Sequence, residues 1–180
     1  IDLLQKRTKD LVAEKTIYQH IDPDGKRHFK NWGRGVVWYL LGTIKTLHVL
    51  DESGLIETGL LSDIKTQVLS DFQWVLSYRD KNGLWCNYID DPSTGIDTST
   101  SAGIATAVAY AIENGYLPKD LMPVAEKTYN SLLPYITCDG YITHSSQINR
   151  GGEELQRSNY RVMAHYTTGL MAQLYAFLKK

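Results

Sequence analysis

A turn motif recurs three times along this chain of 180 residues. Its copies are Asp24-Gly25, Asn82-Gly83 and Asp139-Gly140. Successive glycines are therefore 58 and 57 residues apart, and each leads through a short aromatic or β-branched stretch and a polar loop into a helical segment. A repeat of this length with a helix pair in each unit predicts helical hairpins, stacked or arranged around an axis.

Apolar periodicity places the helices of these hairpins. Between Gly33 and Leu50, apolar residues recur at spacings of three and four, which is the pattern of one buried helix face. Further helices are predicted over 2–14, from an N-cap at Ser62, over 101–114, from Pro118 or Met122, and over 161–178. The fold class is thus all-α, and three hairpins make half of a six-hairpin toroid, the (α/α)6 barrel. In such a ring the loops at one end line a central cavity.

Composition and residue spacing argue against nucleic-acid or membrane partners and against a metal site. The 19 Lys and Arg residues nearly balance the 20 Asp and Glu residues, which gives no reason to expect a nucleic-acid or anionic-membrane partner. No apolar run reaches the roughly 18 residues needed to cross a bilayer. Cys86 and Cys138 match no metal-binding spacing, and two isolated thiols are favoured over a disulfide. The sequence has no His-x-x-x-His pair, so no metal site is predicted.

The densest group of chemically informative residues surrounds the start of the first long helix. His20 is followed by Trp32-Gly33-Arg34-Gly35-Val36-Val37-Trp38. Arg34 and Trp38 are four residues apart and would share a helix face. An arginine fork suits a carboxylate and an indole face suits sugar C–H bonds, which together fit an acidic sugar. An arginine that stacks on tryptophan to close a helix start, with no ligand, is an equally good interpretation from composition alone.

This run resembles the signature of glycoside hydrolase families 88 and 105, which is roughly H-x-x-D, a loop, and then W-A-R-G-x-G-W. Family 105, the rhamnogalacturonyl branch, looks closer. Supporting matches follow in the same order at Asp90-Asp91-Pro92, Asp97-Thr98-Ser99-Thr100-Ser101-Ala102, Gly115-Tyr116-Leu117-Pro118 and Tyr166-Thr167-Thr168-Gly169. The resemblance implies an enzyme that removes an unsaturated uronyl sugar from oligosaccharides made by polysaccharide lyases.

The resemblance also implies a mechanism and a set of site residues. An aspartic acid protonates C4 of the C4=C5 double bond and its conjugate base assists the attack of water at C5, with no metal or organic cofactor. The implied substrate-binding residues are His20, Trp32, Arg34, Trp38, Asp97, Ser99 and Tyr166. Val36-Val37 departs from the signature, and its bulk is expected to narrow the pocket, change the sugar accepted or abolish activity.

No residue of this chain is assigned as the catalytic acid. The family's catalytic aspartate precedes the equivalent of His20 by some tens of residues, so it is expected outside residues 1–180, which would form the C-terminal half of a single (α/α)6 domain. Asp22, Asp24, Asp90 and Asp91 have turn sequences, and Asp97 stands where a helix N-cap is expected.

Two other functions stay open from the sequence. One is a carbohydrate-binding or structural helical module without catalysis, and the other is a different toroid enzyme such as a sugar epimerase, which would show an inward histidine pair. The expected partners are an oligosaccharide and either an N-terminal half or a second copy of the chain, since a half-ring exposes apolar edges. The resemblance alone implies a bacterial cytoplasmic or periplasmic location.

Overall fold

Helices form most of the computed structural model, which describes residues 2–13, 15–55 and 58–180. They are α1 (Asp2–Leu11), α2 (Gly33–Ser53), α3 (Thr58–Leu76), α4 (Thr98–Glu113), α5 (Met122–Leu132), α6 (Gly152–Arg157) and α7 (His165–Leu178). Short 3-10 turns occupy Lys119–Leu121, Leu133–Tyr135 and Asn149–Gly151. Two antiparallel strand pairs lie in the loops, β1 (His20–Ile21) with β2 (Arg27–His28) and β3 (Cys86–Tyr88) with β4 (Asp91–Ile96). The all-α prediction is confirmed, although these strand pairs were not foreseen.

The core is built around α4, which packs between α2 and α7. Its sequence is rich in alanine and small polar residues, and almost every side chain on it is buried. Small side chains let the neighbouring helices approach closely: a Cβ atom added at Gly103 would lie 2.3 Å from a methyl group of Val37. A helix that is apolar or small on all sides belongs in the interior, and α4 is there.

The two valines that depart from the family signature also lie in this core. Val36 and Val37 are fully buried, and Val37 faces Gly103 of α4. The expectation that they would narrow a sugar pocket is therefore wrong. The bulk of Val37 fills the space between two helices, where it packs tightly against a glycine, and Val36 is equally buried.

The predicted repeat of turn glycines is confirmed in the backbone. Gly25, Gly83 and Gly140 have φ angles of 82°, 87° and 88°, a left-handed conformation that glycine adopts without steric cost. The N–H of each glycine donates to the carbonyl three residues earlier, at 2.9–3.0 Å. The three loops are thus copies of one turn.

A second feature of this turn was not visible in the dipeptides. The residue three positions before each glycine accepts, through its side-chain oxygen, the N–H of the residue that follows the glycine. The pairs are Asp22 with Lys26 at 2.8 Å, Asp80 with Leu84 at 2.8 Å, and Thr137 with Tyr141 at 3.0 Å. The turn-forming role expected for Asp22 is confirmed.

Several predicted helix boundaries need correction. The third helix begins at Thr58 rather than after Ser62, and α4 begins at Thr98 rather than Ser101. The last helix begins at His165, because Val162 exchanges two backbone hydrogen bonds with Ser145 and holds residues 161–164 extended. Glu14, where the predicted first helix ends, lies outside the described residues.

Two further observations concern the whole described chain. Cys86 and Cys138 are both free thiols, which confirms the interpretation favoured from the sequence. Over residues 2–13, 15–55 and 58–180, no helix has the length and apolar character that a bilayer crossing requires.

Candidate functional site

Arg34 lies at the centre of the loop end of the molecule, in the first turn of α2. The residue is only 2% exposed. Its Nη1 atom donates to the hydroxyl of Ser99 at 3.1 Å and to the carbonyl of Ser146 at 2.6 Å, and its Nη2 atom donates to the carbonyl of Gln147. Ser99 lies in the first turn of α4, 65 residues away in sequence, and Ser146 and Gln147 lie in a loop more than 110 residues away. Arg34 therefore joins both to the start of α2.

Two aromatic rings enclose the same guanidinium. Its Cζ atom lies 4.5 Å from the centroid of the Trp32 ring and 4.8 Å from that of Tyr166. We call these three residues the Arg34 stack. Burial lowers the pKa of Arg34 and raises that of Tyr166, while the opposite charge of Asp97 favours the charged arginine. A cation between two faces in a dry site is held more strongly than one at the surface.

Asp97 lies beside the Arg34 stack, at the start of α4. It is fully buried and caps α4, accepting the N–H of Ser99 at 2.9 Å and the hydroxyl of Thr100 at 2.8 Å. The hydroxyl of Ser146 also donates to it at 2.7 Å, and Arg34 Nη1 lies 4.0 Å away. The capping role expected for Asp97 is confirmed. Both carboxylate oxygens are occupied by protein donors.

His20 lies on β1, at the edge of this region. Its ring stacks on His28 with centroids 4.8 Å apart, and His28 Nε2 lies 3.1 Å from a carboxylate oxygen of Asp22. The hydrogen bond from His28 is the main cause of a lowered pKa for Asp22. Phe29 bridges His20 to Trp32, with centroid distances of 5.8 and 5.5 Å.

An open groove runs beside His20 along α1. It encloses about 730 Å³ and is lined by Asp2, Leu3, Lys6, Arg7, Asp10, Leu11, Gln19, His20 and Ile21. Its lining combines cationic, anionic and apolar side chains, so it has space for a ligand with both polar and apolar parts.

Trp38 lies one turn beyond Arg34 on α2, but its surroundings differ. The residue is 41% exposed, whereas Arg34 is covered by the loops. Arg7 of α1 donates to the Trp38 carbonyl at 3.2 Å. The sequence placed Arg34 and Trp38 together at one cavity; the structure covers Arg34 and leaves the Trp38 indole accessible.

The structure thus brings together five of the seven predicted substrate-binding residues. Trp32, Arg34, Asp97, Ser99 and Tyr166 form one cluster, of which Tyr166 is the least buried. His20 and Trp38 lie outside it. That these residues contact a sugar stays a prediction, and the buried Arg34, Asp97 and Ser99 contact protein groups here.

Four further residues that bind members of this cluster were not predicted from the sequence. Ser146 and Gln147 bind Arg34, while Asn87 and Gln156 bind the indole of Trp32. Their only signal in the sequence was their place in polar segments that follow the repeat turns. No spacing rule links residues 55 to 124 positions apart, so only the tertiary fold identifies them.

The family model for Glycosyl Hydrolase Family 88 matches residues 6–177 of this chain. The chain belongs to glycosyl hydrolase family 88. This family 88 chain is similar to the unsaturated rhamnogalacturonyl hydrolase YesR of Bacillus subtilis (strain 168), with 25% identity over 163 residues, which is 86% of this chain and 44% of that protein.

Solved structures share the fold of this family 88 chain. A possible member of the GH105 family from Salmonella enterica has a TM-score of 0.82 at 21% identity, covering 97% of this chain and 48% of that one. A family 105 glycoside hydrolase from C. acetobutylicum has a TM-score of 0.78 at 17% identity, covering 98% and 56%. The six-hairpin type of fold is therefore confirmed, and the chain spans about half the length of the proteins it matches.

Proposed function

We propose that this chain provides sugar-binding surface to an unsaturated uronyl hydrolase, which acts on oligosaccharides released by polysaccharide lyases and hydrates their C4=C5 bond. Membership of family 88 is the observation that carries the proposal. The name of the Bacillus relative favours an unsaturated rhamnogalacturonyl sugar as the substrate.

The geometry supports two kinds of role for the predicted residues. His20, Trp38 and Tyr166 are accessible in part and are proposed to contact the sugar, the Trp38 indole by packing on its C–H face. Trp32, Arg34, Asp97 and Ser99 are buried and are proposed to hold that surface in shape. A site whose supporting shell is locked loses less entropy when a ligand binds.

The acid that protonates C4 is proposed to come from outside residues 1–180. Asp97, the carboxylate nearest the Arg34 stack, has both oxygens occupied by protein donors. Asp22 accepts from Lys26 and pairs with His28, and Asp91 accepts from Ser93 and Arg157. A general acid needs a proton and a free path to the substrate, and these carboxylates are engaged in turns and caps.

The engagement of these carboxylates by protein donors also favours a second candidate, a sugar-binding module without catalysis. The engaged carboxylates and the long-range hydrogen bonds of Arg34 describe a rigid platform equally well. The two candidates differ in one outcome, which is the loss of the substrate double bond.

Binding is tested by titrating the ¹⁵N-labelled chain with an unsaturated rhamnogalacturonyl disaccharide while its four tryptophan indole signals are followed. The Trp38 signal is expected to move, and Trp74 and Trp85 serve as internal references because their indole N–H groups are bonded within the fold. Trp38→Ala is expected to weaken binding about tenfold, since stacking on an indole contributes about 1.4 kcal/mol.

Catalysis is tested by the ultraviolet absorbance of the double bond. The chain alone is expected to leave it unchanged, and the chain combined with a polypeptide that carries the remaining part of the family fold is expected to bleach it. Hydration by the chain alone would contradict the external acid. Binding without bleaching in the combined sample would favour the non-catalytic module, and no movement of any indole signal would contradict sugar binding.

A further inference from the structure

Gln156 is a buried side chain with three hydrogen bonds to two different segments. It lies in the short helix α6, is 1% exposed, and accepts the indole N–H of Trp32 at 3.2 Å. Its amide nitrogen donates to the carbonyls of Gln147 at 3.1 Å and Ile148 at 3.0 Å. A buried carboxamide with both ends bonded is fixed in orientation, because rotating it would break bonds that no water can replace.

Asn87 completes the arrangement from β3. Its side-chain oxygen accepts the same indole N–H at 3.1 Å, and its amide nitrogen donates to the backbone carbonyl of Gln156. The indole of Trp32 is therefore held between two amides from segments 55 and 124 residues away. This is more than is needed to satisfy one indole donor.

Gln156 is also connected to Arg34. The carbonyl of Gln147 accepts from Arg34 Nη2 and from the Gln156 amide, so one carbonyl joins the two side chains. The Arg34 Cζ atom in turn lies 4.5 Å from the centroid of the Trp32 ring. Gln156 thus bonds directly to one member of the Arg34 stack and through a single carbonyl to another.

Neighbouring residues hold this part of the chain in place. A carboxylate oxygen of Glu153 accepts the Phe29 N–H at 2.8 Å, and Arg157 pairs with Asp91 at 2.9 Å. Phe29 has a φ angle of 53°, which is uncommon for a residue with a side chain. The segment 153–157 therefore ties the loop before α2 to the β3–β4 pair.

We infer that Gln156 is a positioning residue, which sets the orientation of the Trp32 indole and, through the Gln147 carbonyl, the place of the Arg34 guanidinium. Its role in the molecule is to keep the Arg34 stack in one arrangement beside the accessible Tyr166 ring. Its effect on sugar affinity rests on the proposed function, whereas its effect on the stack does not.

The indole N–H signal of Trp32, assigned by its loss in Trp32→Phe, reports on the stack in the intact chain. Gln156→Met keeps the side-chain length and removes all three bonds. The Trp32 signal is expected to shift and its hydrogen exchange to accelerate about fivefold to tenfold, which is the effect of losing one buried hydrogen bond. Gln156→Glu keeps an acceptor for the indole and loses the donors to Gln147 and Ile148.

The two variants should therefore separate the two ends of the carboxamide. In Gln156→Glu the Trp32 signal is expected to stay closer to the wild type, while the side-chain signals of Arg34 move in both variants. Gln173→Met, at an exposed position on α7, is the matched control and should change neither. The indole signals of Trp74 and Trp85 report general unfolding, because they are bonded to Tyr78 and Val75 elsewhere in the fold.

An unchanged Trp32 signal in Gln156→Met would overturn the inference, and so would equal acceleration of exchange at all buried indoles. Affinity for the unsaturated disaccharide is then compared in the same samples, with a loss of about fivefold to tenfold expected in Gln156→Met. If the wild-type chain binds no sugar while the Trp32 and Arg34 signals respond as expected, the proposed function fails and the positioning role is supported.

Discussion

At the scale of single residues, the polar groups with the most protein partners at the candidate site are buried ones. Arg34 is enclosed by two aromatic rings and bonded to Ser99, Ser146 and Gln147. Asp97 is fully buried with donors on both oxygens. Such groups are costly to bury and are stable only when every partner is present. Removing one partner therefore affects the whole cluster.

Arg34→Lys is expected to lower the free energy of unfolding by about 2–4 kcal/mol. Lysine cannot reproduce the planar fork that bonds Ser99 of α4 and the 146–147 loop, or the stacking on Trp32. Urea denaturation monitored by circular dichroism measures the change. Arg150→Lys, at an exposed position, is the control and should stay within about 0.5 kcal/mol of the wild type. Equal stability of both variants would contradict the structural role of Arg34.

A second buried carboxylate lies between α2 and α3. Asp71 accepts the hydroxyl of Tyr39 at 2.8 Å and the amide of Gln67 at 2.9 Å, yet burial raises its pKa. A carboxyl group whose folded pKa exceeds its unfolded pKa destabilises the fold once pH rises through these values. The protonated form is favoured in the folded chain, and stability from this group is lost on going from acid to neutral pH.

Asp71→Asn is therefore expected to gain stability relative to the wild type as pH rises from about 4 to 7, because the amide carries no charge to bury. Urea denaturation of both proteins across this range measures the difference. Asp63→Asn, at an exposed position of α3, is the matched control. A difference between Asp71→Asn and the wild type that does not depend on pH would contradict the burial effect.

At the scale of the elements, close helix approach depends on glycines with different surroundings. A Cβ atom at Gly103 of α4 would lie 2.3 Å from Val37, while the described residues leave open space around a Cβ atom at Gly169 of α7. The first glycine is required by packing between α4 and α2. The second has no such requirement and only weakens its helix.

Gly103→Ala is accordingly expected to destabilise the chain by about 1–3 kcal/mol through overpacking, and Val37→Ala in the same molecule should restore part of the loss. Gly169→Ala is expected to be neutral or to stabilise by up to about 1 kcal/mol. Thermal denaturation of the wild type, Gly103→Ala, the double variant and Gly169→Ala measures both effects. This packing would be contradicted if Gly169→Ala destabilised the chain while Gly103→Ala did not.

At the scale of the whole molecule, apolar side chains lie exposed along the edge formed by α1, β1 and the second turn of α2. Leu3, Ile21 and Trp38 are 83%, 37% and 41% exposed, and the first two line the open groove beside His20. Exposed apolar surface of this kind favours association, either with a second copy of the chain or with a polypeptide that supplies further helical hairpins. We propose that one of these two partners covers the edge.

The isolated chain is expected to self-associate at micromolar concentration, and Ile21→Lys should shift it toward the monomer. Sedimentation velocity over a range of concentrations measures the distribution. Val49→Lys, at an exposed apolar position elsewhere on α2, is the control. A wild-type chain that stays monomeric throughout would contradict the proposal.

The sequence by itself determined the longer helices to within a few residues, the repeat and the family, but not the short helix α6. Apolar spacing of three and four is a local property, so α2 followed from it, and the turns at Gly25, Gly83 and Gly140 followed from local backbone chemistry. The cap at Asp97 was predictable for the same reason. Each of these features depends on residues within a few positions of one another.

Only the tertiary structure decided which polar residues meet. Gln156, Asn87 and Ser146 converge on Trp32 and Arg34 from positions 55 to 124 residues away, and Val37 packs against Gly103 of α4. These outcomes depend on how the helices pack and on the need to satisfy every buried polar group. Neither the packing of the helices nor the pairing of buried polar groups can be inferred from short stretches of sequence, because both are properties of the folded molecule as a whole.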